Sequence, residues 1–190
     1  MHSCQLFLTE KMSAYKDFVN QDNLDGFYHA HEKYKWIDAV FKDEQYWISK
    51  YLKYLRKEEW FLNERPNKFM RFYYLRKKNI LGAKLGILIH VNCFGPGLKI
   101  YHCGSIVANP ATRVGSGCII HGNCTFGNKG DSQPDCAPHV GNNVEVGVNA
   151  LIIGDITIAD DVIIGGGSVV LHSILDKGAV VAGNPAKRIR

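Results

Sequence analysis

The feature that most constrains the fold is an aliphatic residue that returns at every sixth position between Val114 and Val170. The recurring positions are Val114, Ile120, Phe126, Val140, Val146, Ile152, Ile158, Ile164 and Val170. Eight additional residues separate Phe126 from Val140 and interrupt an otherwise regular period. A period of six matches neither the helical repeat of about 3.6 residues nor simple strand alternation. It indicates an internal repeat whose units stack on one another.

The six-residue period predicts a parallel β-helix with one short strand per hexad and three hexads per turn. The recurring aliphatic residues point inward and stack between turns. Glycine and asparagine supply positive φ at the corners, as at Asn142, Asn143 and Asn149. The predicted fold class is mainly β with N-terminal helices, and the repeat allows about four to five turns.

Two regions are predicted, with a boundary after residue 84. Residues 1–84 form an N-terminal helical region, because residues 9 to 80 contain long runs without Gly or Pro and apolar residues at three- and four-residue steps. Residues 85–190 form the β-helix and a C-terminal tail. Residues 50–84 carry a net charge of +8. This run suits an anionic partner, but a solvated helix face is the more common explanation.

Phe69, Phe72, Tyr73 and Leu75 are predicted to form an apolar face on the last helix. Aromatic residues at this spacing most often serve packing, and we interpret them in that way.

The cysteines and the absence of an apolar segment favour a cytoplasmic protein. None of the six cysteines forms a C-x2-C pair, and Cys118 and Cys124 fall at repeat positions that require small buried residues. They are interpreted as reduced structural thiols rather than as a disulfide framework or a zinc site. No segment has the length of a membrane span, and the first residues carry charges where a signal peptide is apolar. No nucleic-acid partner is predicted.

Two places break the repeat, and both are candidate functional sites. His102 lies twelve residues before Val114, in phase with the aliphatic positions. Either the register changes after residues 95–97, or this histidine is held for chemistry. The second place is the insertion at residues 128–139, which must leave the β-helix as a loop. It is either part of a binding site or a tolerated surface insertion.

His102, His121 and His139 are spaced by nineteen and eighteen residues, close to one turn of the β-helix. Imidazoles are common zinc ligands, so this spacing suggests a metal site. The insertion between His121 and His139 disturbs the stacking, and no carboxylate partner is evident in the sequence. We therefore predict no metal.

The repeat, the stretch GPGLKIYHCGSIVANPATRVGSGCII and the ending VAGNPAKRI resemble the hexapeptide-repeat acyltransferases, and among them the serine acetyltransferases. The resemblance covers residues 85 to 190. It implies a left-handed β-helix, an exception to the usual right-handed crossover. It also implies a homotrimer, or a dimer of trimers, with active sites between subunits, and transfer of acetyl from acetyl-CoA to a hydroxyl.

On this resemblance, His102 matches the catalytic histidine and acts as a general base. The family's Asp-Arg-His-Pro element falls on Asp135, Cys136, Ala137 and Pro138, so the aspartate and proline match but the arginine and histidine do not. A cysteine cannot bind a carboxylate as a guanidinium does. Asp135, His139 and His121 are the candidate acceptor-binding residues. The aspartate that orients the family's histidine has no match upstream of His102.

The resemblance also predicts where acetyl-CoA binds. The pantetheine arm is expected to run along small residues of the last turns, and basic residues near the C-terminus are expected to meet the phosphates. The matching positions are Gly147, Val148, Gly165, Gly166, Lys187 and Arg188.

The function predicted is an acetyl-CoA-dependent O-acetyltransferase of the serine acetyltransferase type, acting without a metal on L-serine or a related small molecule with a hydroxyl. A sugar acceptor, as in capsule or surface-glycan synthesis, is the alternative. Two other classes remain open: a non-catalytic trimeric assembly module, and a metal hydrolase similar to the γ-carbonic anhydrases.

Overall fold

The computed structural model describes residues 18–22, 42–130 and 136–190. Within these ranges, short strands wind into a left-handed parallel β-helix with three sheets, as predicted. The first sheet contains β1 (Ile87–Leu88), β3 (Ile106–Ala108), β6 (Thr125–Gly127), β9 (Leu151–Ile153) and β12 (Val169–Val170). The second contains β4 (Arg113–Val114), β7 (His139–Val140) and β10 (Thr157–Ile158). The third contains β2 (Lys99–Ile100), β5 (Ile119–Ile120), β8 (Glu145–Val146), β11 (Ile163–Ile164), β13 (Val180–Ala182) and β14 (Lys187–Arg188).

The recurring aliphatic residues form the interior of the β-helix, stacked turn on turn. Ile120 pairs in register with Val146, and Phe126 pairs with Ile152. All the recurring residues from Val114 to Val170 are buried. The first sheet has five strands in the described residues, which corresponds to five turns. Cys118 and Cys124 are buried and unpaired, as predicted.

The register changes at the corner that carries His102. Ile100 and Ala108 are both buried inward positions, and they lie eight residues apart instead of six. Two residues are therefore extra at this corner, and His102 lies outside the β-helix interior with its side chain 69% exposed. The change of register falls after Ile100, not after residues 95–97.

Two helices of the N-terminal region are described over their whole length, α1 (Glu44–Asn63) and α2 (Lys68–Leu85), and residues 18–21 are also helical. Asp43 caps α1 by accepting the N–H of Tyr46, and Asn67 caps α2 by accepting the N–H of Met70. The buried Glu58–Lys78 ion pair joins the helices at 2.8 Å. Helical predictions for residues 9–17 and 23–41 fall outside the described residues.

The helices lead directly into the β-helix. Gly86 ends α2 with φ of 73°, and a Cβ there would lie 2.6 Å from the backbone oxygen of Gly104, so only glycine fits. β1 begins at the next residue. The division at residues 84 and 85 as a domain boundary stays a prediction.

Arg56 fixes α1 against the first turn of the β-helix. Its buried guanidinium donates to Asp22, to Glu59 and to the backbone oxygens of Phe94 and Gly95, at 2.7 to 3.2 Å. Burial acts against the charged form, but the carboxylates of Glu59 and Asp22 raise the pKa of Arg56 above its ordinary value. Arg56 is therefore charged, and its positive charge is balanced by the carboxylates of Asp22 and Glu59.

The aromatic face of α2 does not pack as predicted. Phe69 is 89% exposed, Phe72 67% and Tyr73 49%. Their interpretation as packing residues is wrong within the described chain, because α2 turns its opposite side, including the buried Lys78 and Leu81, toward α1 and the β-helix. Neither α1 nor α2 is long and apolar enough to cross a membrane.

Candidate active site

A cleft of about 550 Å³ runs along the corner that follows the third sheet. It is lined by His102, Cys103, His121, Gly122, Asn123, Gly147, Val148 and Gly166. Five of these eight residues were predicted as site residues from the sequence. Because strands of neighbouring turns lie side by side, residues far apart in the chain follow one another along this corner.

His102 projects at one end of the cleft. The backbone of Gly122 lies directly beside it: a Cβ on Gly122 would be 3.3 Å from the backbone oxygen of His102 and 3.4 Å from its Cβ. Gly122 also has φ of 129°, a conformation that side chains rarely adopt. Glycine at 122 therefore permits the His102 corner to pack closely on the next turn.

Glu44, the first residue of α1, meets the His102 corner from the helical region. Its Oε2 lies 3.4 Å from Nδ1 of His102, and its Oε1 accepts the backbone N–H of Cys103. The side-chain amide of the next residue, Gln45, donates to the backbone oxygen of Tyr101. Partial burial opposes ionisation, but the hydrogen bond from Cys103 and the contact with His102 lower the pKa of Glu44. The side chain of Glu44 is thus an ionised carboxylate beside the imidazole of His102.

Sequence reasoning missed Glu44. It is separated from His102 by 58 positions and belongs to a different structural region. The only local signal is its place directly after a helix N-cap, where acidic residues are common for reasons of helix stability alone.

His121 is the second histidine of the cleft. Its ring stacks on Tyr101 with centroids 4.8 Å apart, and its Nε2 lies 2.7 Å from Oε1 of Glu145. Tyr101 and Glu145 come from the turns on either side, so His121 is held in place by both neighbours.

Glycines form the floor of the cleft beyond the histidines. A Cβ on Gly147 would lie 2.5 Å from the backbone nitrogen of Gly166, so these two turns are in close backbone contact. Gly165 is the ladder neighbour of Gly147 and continues the same row. Val148 is 46% exposed beside this floor. A narrow ligand can therefore lie against backbone between His102 and Gly166.

Lys187 and Arg188 lie on β14, at the end of the third sheet, and do not line the cleft. Lys187 pairs with Ala182, and a Cβ on Gly165 would lie 3.0 Å from Cβ of Ala182. The row of residues that begins at Gly147 and Gly165 therefore continues through Ala182 to Lys187. The guanidinium of Arg188 is 2.5 Å from Asp176.

The described insertion residues, 128–130 and 136–139, do not line this cleft. Asp135 lies outside the described residues. His139 is exposed on β7 of the second sheet, beside Arg113 and Thr157, in a separate depression of about 640 Å³. His139 therefore does not join His102 and His121. No group of three or more His, Cys, Asp or Glu suited to a metal is found within the described residues.

Cys103 neighbours the histidine but is poorly suited as a nucleophile. Burial and the nearby Glu44 carboxylate raise the pKa of its thiol. The chemistry available at the cleft is therefore proton transfer by an imidazole that faces a carboxylate, beside an open backbone-lined groove.

The comparisons with known proteins agree with this geometry. An Escherichia coli (strain K12) protein named for an acetyltransferase role in colanic acid biosynthesis is 37% identical over 123 residues, 56% of this chain and 75% of that protein. The serine acetyltransferase of Helicobacter pylori (strain ATCC 700392 / 26695) is 36% identical over 122 residues, 63% of this chain and 71% of that protein. No family model matches the chain.

Solved structures extend the likeness to the helices. The soybean serine acetyltransferase apoenzyme superposes with a TM-score of 0.73 at 20% identity, over 96% of this chain and 73% of that one. A Brucella abortus serine acetyltransferase in complex with Coenzyme A has a TM-score of 0.69 at 25% identity, over 97% and 72%. Fold, cleft and relatives define a hexapeptide-repeat acyltransferase. Within that class, the chain belongs to the serine acetyltransferase-like family.

Proposed function

We propose that the protein transfers the acetyl group of acetyl-CoA to a hydroxyl of a small-molecule acceptor, with His102 as the general base. The observation that carries the proposal is the position of His102, exposed at one end of a cleft whose floor is glycine backbone. The serine acetyltransferase-like relatives support the reaction type.

In the proposed reaction, Nε2 of His102 takes the proton of the acceptor hydroxyl as its oxygen attacks the thioester carbonyl. The new C–O bond gives a tetrahedral intermediate. The C–S bond then breaks, and the imidazolium returns its proton to the departing thiolate, so that the acetyl ester and free CoA leave. No enzyme thiol takes part, in keeping with the raised pKa of Cys103.

Acetyl-CoA is proposed to lie along the cleft corner. Gly147, Gly166 and the exposed Val148 line the cleft, and Gly165 continues the row of glycines. These four residues would contact the pantetheine arm, which can approach the backbone closely at the glycines. Lys187 and Arg188 would meet the nucleotide phosphates beyond Ala182. The Coenzyme A complex of the Brucella abortus relative supports a cofactor of this type.

The acceptor proposed first is L-serine or a related small hydroxyl compound. A sugar is the second candidate, and one observation favours it: Cys136 and Ala137 stand where the resemblance predicts arginine and histidine, and Ala137 is buried. A site without that guanidinium lacks the bidentate carboxylate partner that the resemblance predicts at this position. The 37% identical relative named for colanic acid biosynthesis agrees with this alternative.

The proposed assembly is a homotrimer in the cytoplasm, with each site between neighbouring subunits. His139 faces outward on the second sheet of its own chain. In a trimer it would contact acceptor at a neighbour's cleft, together with Asp135, whereas His121 would do so from the cleft itself.

The direct test measures release of free CoA from acetyl-CoA by the purified protein, with L-serine and a panel of sugars as acceptors. Acceptor-dependent release supports the proposal and identifies the acceptor. Absence of acetyl-CoA binding by calorimetry would refute it and favour a non-catalytic assembly module.

A further inference from the structure

We infer that Glu44, at the N-terminus of α1, is the positioning carboxylate for His102, so that the helical region completes the catalytic site. The inference rests on the proposed function, since it gives His102 the role of base. It identifies the group that the sequence left without a candidate.

The geometry fixes Glu44 toward the imidazole. One carboxylate oxygen is occupied by the backbone N–H of Cys103, which leaves the other oxygen 3.4 Å from Nδ1 of His102. Gln45, in the same turn of α1 as Glu44, donates a hydrogen bond to the backbone oxygen of Tyr101. Two consecutive residues of α1 therefore hold the backbone on both sides of His102.

The chemistry follows from which ring nitrogen is engaged. A carboxylate at Nδ1 accepts a hydrogen bond from the N–H at that nitrogen and thereby selects the neutral tautomer whose Nε2 carries a lone pair. Nε2 is then the acceptor for the hydroxyl proton. When Nε2 takes that proton, the imidazolium forms beside an anion that stabilises it.

A second carboxylate contacts the other histidine of the cleft. Glu145 contacts Nε2 of His121 at 2.7 Å, so it engages the second histidine and not His102. Among the contacts of the described residues, Glu44 is the acidic side chain that touches His102.

The stability of α1 supports this role. Asp43 caps the helix directly before Glu44, and Arg56, about three turns later, binds α1 to the first turn of the β-helix. Glu44 is therefore presented from a rigid element rather than from a loop.

The experiment compares Glu44→Gln and Glu44→Asp with Gln45→Ala as the matched control. Gln45→Ala removes the neighbouring anchor of α1 but leaves the carboxylate. We expect Glu44→Gln to lower kcat about 10- to 100-fold, less than the ~10⁴-fold loss for a buried triad aspartate, because this contact is longer and open to solvent. The KM for acetyl-CoA should stay unchanged, and Glu44→Asp should recover part of kcat. Gln45→Ala loosens the docking of α1 but keeps the carboxylate, so it should lower kcat clearly less than Glu44→Gln does.

A second readout does not depend on activity. Long-range ¹H–¹⁵N spectra of histidine-labelled protein, assigned with His102→Gln, report which nitrogen of neutral His102 carries the proton. We expect the Nδ1–H form in wild type and loss of that preference in Glu44→Ala. An unchanged tautomer in Glu44→Ala, an unchanged kcat in Glu44→Gln or an equal loss in Gln45→Ala would overturn the inference.

The failures are distinguishable. If wild type transfers acetyl to no acceptor yet shows the Glu44-dependent tautomer, the proposed function fails and the positioning stands. If wild type is active and His102→Ala is inactive while Glu44→Gln behaves as wild type, the positioning fails and the function stands.

Discussion

Removing the charge of Arg56 should strongly destabilise the protein. Arg56→Met keeps much of the side-chain volume but leaves Asp22 and Glu59 as buried carboxylates without their cation. It also removes the donors to the backbone oxygens of Phe94 and Gly95. Breaking a buried ion pair from one side costs about 3–5 kcal/mol. For a chain of this length, that corresponds to a fall in Tm of roughly 6–20 °C.

The assay is thermal unfolding followed by circular dichroism, at one protein concentration because assembly affects Tm. Arg71→Met is the matched control, since Arg71 lies on the exposed side of α2. Adding Asp22→Asn to Arg56→Met should recover part of the loss, because one uncompensated charge disappears. Recovery should be incomplete, since Glu59 remains a buried carboxylate without its cation.

A fall in Tm no larger than that of Arg71→Met would refute the reasoning. It would mean that the buried guanidinium of Arg56 does not hold α1 against the β-helix. Another contact would then have to position Glu44 beside His102.

Three further predictions concern the cleft and its surroundings. Gly166→Ala places a Cβ 3.2 Å from the backbone oxygen of Val148, so the cleft floor must shift. It should raise the KM for acetyl-CoA about 10-fold, or ~1.4 kcal/mol, in steady-state kinetics. Lys187→Ala should raise the same KM about 3- to 10-fold by removing a phosphate contact, whereas Lys77→Ala on α2 should not. Folding lowers the pKa of Glu44, so the carboxylate stabilises the folded state above the ordinary pKa of 4.5, and this stabilisation is lost as the pH falls through the lowered pKa. In urea denaturation, Glu44→Gln should therefore lose less stability on acidification than wild type does.

The β-helix could be predicted from sequence because its signal is periodic. Each turn repeats the same burial requirement, so Val146, Ile152 and their equivalents reveal the inward positions without any long-range information. The repeat also marked His102 as an irregular position and spaced His121 about one turn after it, whereas Gly147 and Gly166 were predicted from the family resemblance.

Contacts between the helices and the β-helix could not be predicted in this way. Glu44 meets His102 only through the docking of α1, and docking depends on the buried Arg56 and Asp22, whose partners are backbone atoms and non-periodic side chains. The exposure of the aromatic face of α2 was also missed. The spacing of the aromatic residues shows that they share one face of the helix but not whether that face is buried. Only packing decides which side faces α1.

The register at His102 shows a third limit. Counting back from Val114 places His102 at an inward position, whereas the two extra residues between Ile100 and Ala108 move it to the surface. Periodicity located the irregular corner but could not say which residue forms it.

The most direct test of the account is turnover by His102→Ala. Acetyl-CoA consumption should fall about 10²- to 10⁴-fold, because the general base is lost. Acetyl-CoA binding by calorimetry should be unchanged, since the glycine floor from Gly147 to Gly166 remains. His172→Ala, at an exposed histidine in the last turn, should keep wild-type turnover. Near-wild-type turnover by His102→Ala would contradict the central claim that this histidine activates the acceptor hydroxyl.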